Sequence, residues 1–197
     1  MILISYPNLP ILETPRLLLR EQTPADGPEL FELRTNPEVM KYIDRKKPDS
    51  LEESLAVLQT MKEAQLKGLN LVWAIALKQE PEKMIGNIGF WQTDAANHRA
   101  EIGYMLHPAH WRKGMISEAL SKVIHFGFEL VKLHSICANI NPNNDASRQL
   151  LLKHGFVKEA YFREDYYFNG QFLDSEIYVL LKAAEGGTSR FDQDRFS

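Results

Sequence analysis

The chain has 197 residues, 44% hydrophobic and 25% charged, with 23 Lys and Arg against 26 Asp and Glu for a formal net charge of −3. These are ordinary values for one globular domain long enough to bury a core, and the slight acidic excess argues against a general nucleic-acid binder, which is usually basic. No apolar run reaches the roughly 18 residues that cross a bilayer, the opening MILISYPNLPIL lacks the basic residues of a signal peptide, and the lone Cys137 reads as a buried core thiol, so a reducing cytoplasm is the expected compartment.

ETPRLLLRE predicts a first strand with Leu17 and Leu19 on one face. In TPADGPELFELRTN, Thr23 can cap, Pro24 suits the first helical position and Asp26 lies near the positive end of the helix dipole, so a helix is expected there, limited by Pro37. Leu51, Leu55, Leu58 and Met61 recur every three or four residues, predicting a second helix over residues 50–67 closed by Gly68. Three strand-like runs follow: LVWAIALK, KMIGNIGFWQT and RAEIGYML. The short separators QEPE and DAANH predict an antiparallel meander.

Residues 114–131 carry the strongest helical pattern. Ile116, Ala119, Leu120, Val123, Gly127 and Leu130 fall on one face; Glu118, Lys122, His125, Glu129 and Lys132 fall on the other. LHSICANI predicts a buried strand. NNDASRQLLLKHGF predicts a short helix with Gly155 just past its end. FVKEAYFREDYYF and QFLDSEIYVLLK predict a hairpin turned at Asn169 and Gly170. The elements form one domain over residues 1–182; beyond it the periodicity stops, so 183–197 reads as a tail.

The segment WRKGMISEAL places two cations and a glycine at the start of the strongest helix. The first N–H groups of a helix have no internal partner and sit at its positive end, so an anion placed there satisfies several at once. A phosphate or pyrophosphate is one reading, with Gly114 admitting close approach and Arg112 and Lys113 adding charge; the other, which these ten residues alone favour, is a pair of solvated cations.

The pieces EIGYMLHPAHWRKGMISEAL and NPNNDASRQLLLKHGF, in this order, resemble the GNAT superfamily of acyl-CoA-dependent N-acetyltransferases. The likeness is nearest to the branch of ribosomal-protein N-terminal (alanine) acetyltransferases and runs from LETPRLLLRE to YVLLK. It implies an α/β domain with a mixed, mostly antiparallel, splayed sheet flanked by about four helices. It also implies acetyl-CoA as co-substrate, no metal, and an acceptor that is a protein N-terminus or a small-molecule amine, with no nucleic acid and no membrane as partner. By the same resemblance, Arg112, Lys113, Gly114, Met115, Ile116 and Ser117 hold the CoA pyrophosphate. Tyr104, Met105 and Leu106 offer backbone groups to the pantetheine arm, and Asn144, matching the Asn of Asn-x-x-Ser, contacts that arm or caps its helix. Ile116 is a departure, since many members carry Gly or Ala there.

Acetyl transfer needs a neutral amine, a stabilised thioester oxyanion and support for the leaving thiolate. Glu101, in an apolar strand, is the candidate base, directly or through water, or else the partner of Arg99 or a cross-strand Lys. Backbone N–H groups near Met105 are the expected oxyanion donors. Many members place a tyrosine four residues before the position of Gly155, where this chain has Leu151; Ser147 matches a serine suggested to serve the thiolate in the ribosomal branch. The ribosomal example carries a glutamate in the region of Tyr166, and Tyr161, Tyr166 and Tyr167 are candidates to line the acceptor cleft. His107 and His110 lack a third metal ligand at sensible spacing, and His134 and His154 read as ordinary surface or helix-end residues. Two rival readings are a non-catalytic acyl-CoA sensor, allowed by Leu151, and a nucleic-acid adaptor using Arg112 and Lys113.

Overall fold

The apolar runs of the middle of the chain assemble one eight-stranded sheet. A computed structural model describes residue 4 and residues 6–183; the predicted tail, apart from residue 183, lies outside the described residues. The strands are β1 (Leu12–Glu13), β2 (Leu17–Glu21), β3 (Leu71–Leu77), β4 (Glu80–Asp94), β5 (Arg99–Leu106), β6 (Ser135–Ile140), β7 (Val157–Phe168) and β8 (Gln171–Leu181). The helices are α1 (Gly27–Thr35), α2 (Pro37–Met40), α3 (Leu51–Leu66), α4 (Met115–Glu129) and α5 (Asp145–Lys153). The sheet runs β1-β2-β3-β4-β5-β6-β8-β7 and is antiparallel except between β5 and β6. That parallel pair needs a crossover, which α4 supplies.

The two faces of the sheet bury separate cores. Trp73, Ile88, Phe90, Ile102 and Ile136 pack with Ala119, Leu120, Val123 and Phe126 of α4. Ala74, Met84 and Met105 pack with Leu30 and Leu33 of α1 and Leu58 of α3. Burying each such large side chain contributes about 1.5–3 kcal/mol. Coverage on both sides explains why β3 is buried at nearly every position.

Several expected boundaries move. Thr23 and Asp26 belong to a 3-10 turn preceding α1, because the buried Asp26 carboxylate accepts from the Thr23 N–H and from two nitrogens of Arg20. Pro37 both ends α1 and opens the unpredicted α2, where Asn36 Oδ1 accepts from the N–H groups of Glu38 and Val39. The expected QEPE turn lies largely inside β4, with Lys78 and Gln79 making the reversal. Leu130, expected on the buried face of α4, is 60% exposed: the helix stops at Glu129, the chain turns left-handed at Lys132, and Val131 enters the core instead. Glu118, expected on the solvated face, is half-buried and accepts from the Thr14 hydroxyl and the Arg16 N–H. The hairpin at Asn169 and Gly170 forms with both residues at positive φ. Among the described residues, no helix is long and apolar enough to cross a membrane.

One buried ionic group fixes α5 to the sheet. Glu176 of β8 is 4% exposed and accepts from Lys158, Arg148 and the Tyr178 hydroxyl. Burial pushes its carboxyl up, but these donors outweigh burial and hold it below the ordinary value. A carboxyl that releases its proton more readily when folded stabilises the fold above the ordinary carboxylate range and loses that contribution as pH falls through the depressed value. Glu176→Gln is expected to lower unfolding free energy by about 1–3 kcal/mol at neutral pH. Urea titrations at neutral pH and near pH 3 check this: the gap to the wild type narrows in acid.

Candidate active site

The register of β5 and β6 covers three pairs, Arg99 opposite Ser135, Ala100 opposite Ile136 and Glu101 opposite Cys137. Beyond Glu101 the strands part, and the opening is a cleft of about 780 Å³. Tyr104 and Leu106 of β5, the turn before α4, and Asn144 and Ser147 of α5 line one arm of it. Glu101, Trp91, residues 42–45 and Tyr166 line another.

The turn into α4 is shaped by residues far apart in sequence. Gly114 is the N-cap at φ +75°, a left-handed conformation that favours glycine. Arg112 also has positive φ. The Trp111 indole N–H donates to the Leu106 carbonyl at 2.7 Å, tying the turn to β5. Arg16 donates to the Lys113 carbonyl at 2.9 Å and to the Glu118 carboxylate at 2.8 Å. The first helical bond of α4 runs from the Glu118 N–H to the Gly114 carbonyl. The N–H groups of Met115, Ile116 and Ser117 therefore stay free of helix partners at the edge of the cleft. Ile116, the departure from the family pattern, packs partly against the main core while lining the cleft, so its bulk is accommodated.

One expectation for this turn is corrected. The Lys113 side chain does not line the cleft; its ammonium folds back onto the Ala109 carbonyl at 2.7 Å, leaving Arg112 as the cation that this turn presents to it. His154 is the helix-end residue expected, the C-cap of α5, and in addition its Nε2 lies 2.8 Å from Ser117 Oγ, while burial, then Lys153, lowers its pKa.

On the other side of the opening, Asn144 Oδ1 accepts the Ser147 N–H at 3.1 Å, the helix-cap role foreseen for it, and Asn144 also lines the cleft. The Ser147 and Tyr104 hydroxyls lie 2.7 Å apart, and burial pushes the Tyr104 phenol up to about 12. Leu151 is fully buried in the core, so the phenol facing Ser147 comes from β5 instead of from that position of α5. The bond from Trp111 shows that Leu106 turns its carbonyl to the open edge. The His107 N–H, one residue on, donates to Ile85 of β4. Strand alternation then turns the backbone of Tyr104 and Leu106 toward the cleft and that of Met105 toward β4. Tyr104 and Leu106, not Met105, thus supply amide donors along that edge.

Glu101 lines the cleft and forms no ion pair among the described residues, though both Arg45 and Arg99 act on it through space. Burial raises its carboxyl above the ordinary value despite those two cations. Across from it, the Arg45 guanidinium lies 5.1 Å over the Trp91 ring. Trp91 in turn covers Gly103, where a Cβ would come within 2.7 Å of the indole. Tyr166 lines the cleft and donates to the Asp44 carboxylate. Tyr161 does not line it: its hydroxyl donates to Asp174 on the outer face of the hairpin, with Lys158 5.0 Å over its ring. Tyr167 is exposed and stacks on Phe172. His107 bonds Glu32 and the Ala109 N–H, and among the described residues no group of three or more His, Cys, Asp and Glu could hold a metal ion.

Arg16 and Trp91 are the site residues that sequence reasoning missed. Arg16 stands 97 residues from the carbonyl it holds, and nothing in its local sequence marks it.

A sheet splayed at its parallel pair, with free helix N–H groups at one end of the opening and a raised carboxyl at the other, defines a group-transfer site for a substrate with an anionic handle. Residues 16–157 match the Acetyltransferase (GNAT) domain, and the chain belongs to the GNAT family: it is an N-acetyltransferase. It is 38% identical over 176 residues to the uncharacterised N-acetyltransferase YoaA of Bacillus subtilis, covering 89% of this chain and 99% of that one. It is 31% identical over 100 residues to the ribosomal-protein-serine acetyltransferase of Escherichia coli, covering 51% of this chain and 56% of that one. A ribosomal L7/L12 α-N-protein acetyltransferase, RimL, solved in complex with coenzyme A, shares the fold with a TM-score of 0.80 at 20% identity, covering 87% of this chain and 98% of that one.

Gly114→Ala places a Cβ at φ +75° where it meets only the Arg16 guanidinium, at an ordinary contact distance of 3.6 Å, so the cost is conformational. It is expected to destabilise the fold by about 1–2 kcal/mol, read as a lower urea midpoint with unchanged slope.

Proposed function

We propose that the chain transfers the acetyl group of acetyl-CoA directly to a primary amine, with the α-amine of a peptide as the acceptor best suited to the site and a small-molecule amine as the other acceptor of the same chemistry. The observation that carries this reading is the pairing, across one cleft, of free α4 N–H groups with the raised carboxyl of Glu101. The residues present fit a pyrophosphate. Met115, Ile116 and Ser117 offer N–H groups, Gly114 leaves room beside them, and Arg112 adds charge. Each hydrogen bond to such a charged group contributes about 1.5–3 kcal/mol. Asn144, beside Ser147 at the start of α5, is the side chain for the pantetheine amides, and the open edge of β5 offers Tyr104 and Leu106 for the rest of that arm.

When bound, acetyl-CoA supplies an activated acyl carbon and a thiol leaving group. Glu101 takes the proton from the amine, directly or through one water. A carboxyl raised by burial is a better match for this task than one at its ordinary value. An α-amine near 7.7–8.0 costs about 1 kcal/mol to neutralise at neutral pH, whereas a lysine-like amine near 10.4 costs about 4–5 kcal/mol. One partly countered carboxylate therefore suffices for an α-amine. The likeness to the ribosomal-protein-serine acetyltransferase supports the same acceptor class. N–H groups on the open edge of β5 hold the developing oxyanion, and Ser147 donates a hydrogen bond to the leaving sulfur. Tyr166, braced by Asp44, borders the acceptor. Attack is direct: Cys137 is buried, its Sγ bonds the Ala100 carbonyl at 3.6 Å, and burial pushes its thiol up, so it is no nucleophile.

Incubating the protein with acetyl-CoA and a library of amines and N-terminal peptides, read by mass shift, tests the reading; acetylated peptide α-amines are expected, and CoA bound without acetylation of any amine would reject it. Glu101→Gln is expected to lower turnover about 10²–10⁴-fold with little change in KM for acetyl-CoA. Since the base works as a carboxylate, kcat/KM of the wild type should fall as pH drops through a value above the ordinary glutamate range, and this limb should vanish in the variant.

A further inference from the structure

A hydroxyl pair in the cleft, Tyr104 Oη and Ser147 Oγ at 2.7 Å, is unequal in its alternatives. Among the described residues, neither oxygen has another hydrogen-bond partner. If Ser147 donates to Tyr104, the phenol proton is turned into the cleft, which Tyr104 also lines. If Tyr104 donates, the serine proton is turned into the cleft that Ser147 lines. The second arrangement is favoured because the phenol is the more acidic of the two hydroxyls and therefore the stronger donor, with the serine oxygen the better acceptor.

We propose that Tyr104 is a positioning residue that aims the Ser147 hydroxyl at the leaving sulfur. Ser147 itself is held from both sides of the chain. Its N–H is capped by Asn144, and the next residue, Arg148, is anchored on buried Glu176. As the carbon–sulfur bond breaks, its electron pair stays on sulfur and the Ser147 proton hydrogen-bonds to it. The thiolate then takes its proton from water at the cleft mouth, balancing the proton the amine gives to Glu101. Burial keeps the phenol protonated throughout the working range, so it remains a donor.

The inference rests on the reading of Ser147 given above, and a double-mutant cycle separates the two. Tyr104→Phe is expected to lower kcat about tenfold while KM for acetyl-CoA and the thermal midpoint stay close to wild type. Ser147→Ala is expected to lower kcat at least as far, and adding Tyr104→Phe to it should slow the enzyme no further. If Tyr104→Phe alone turns over like wild type while Ser147→Ala is slow, the role of Tyr104 is overturned and that of Ser147 stands. If Tyr104→Phe slows the Ser147→Ala enzyme by the factor seen in wild type, the phenol acts structurally and the inference fails. If Ser147→Ala leaves kcat unchanged, both roles fall.

Discussion

The site depends on β5 and β6 ceasing to pair after Glu101 and Cys137. A paired strand spends its backbone groups on its neighbour; an unpaired edge leaves them for something else. Here the parting frees the edge of β5 at Tyr104 and Leu106 and opens room between two elements of one sheet. It also sets Glu101 at the vertex, on the last paired residue, where protein covers it enough to raise its carboxyl yet leaves it open to the cleft. A ladder continued to Leu106 would close the cleft and bury the same residues as core.

Holding such an opening is work for groups on both of its walls. On one wall, Trp111 and Arg16 fix the turn into α4, and His154 reaches from the end of α5 to Ser117. On the other, Asn144 caps α5, and Glu176 ties it to β8 through Arg148. These bonds cross between elements distant in sequence, so the geometry of the free N–H groups is set by the packed domain and not by the helix alone. The other end of the cleft is built by packing of another kind: Arg45 over Trp91, and Trp91 over the bare backbone of Gly103. Tyr166 and Asp44 close that side from two segments 122 residues apart.

The sequence by itself determined the order and type of nearly all elements. Hydrophobic spacing is a local quantity, and α4, the β3-to-β5 meander and the Asn169 and Gly170 turn are local structures. It also marked the N–H-rich start of α4, the Asn144 cap, and Glu101 as a carboxylate out of place among apolar residues. Only the tertiary structure decided what these residues face. Leu130 and Tyr161 fit a local pattern yet lie outside core and cleft, because a helix end and a hairpin face turned them away. Arg16, His154 and the hydroxyl of Tyr104 carry no local signal, because each matters through a partner brought near by folding: Lys113, Ser117 and Ser147. Periodicity records burial along a segment; a hydrogen bond between segments is written nowhere in either of them.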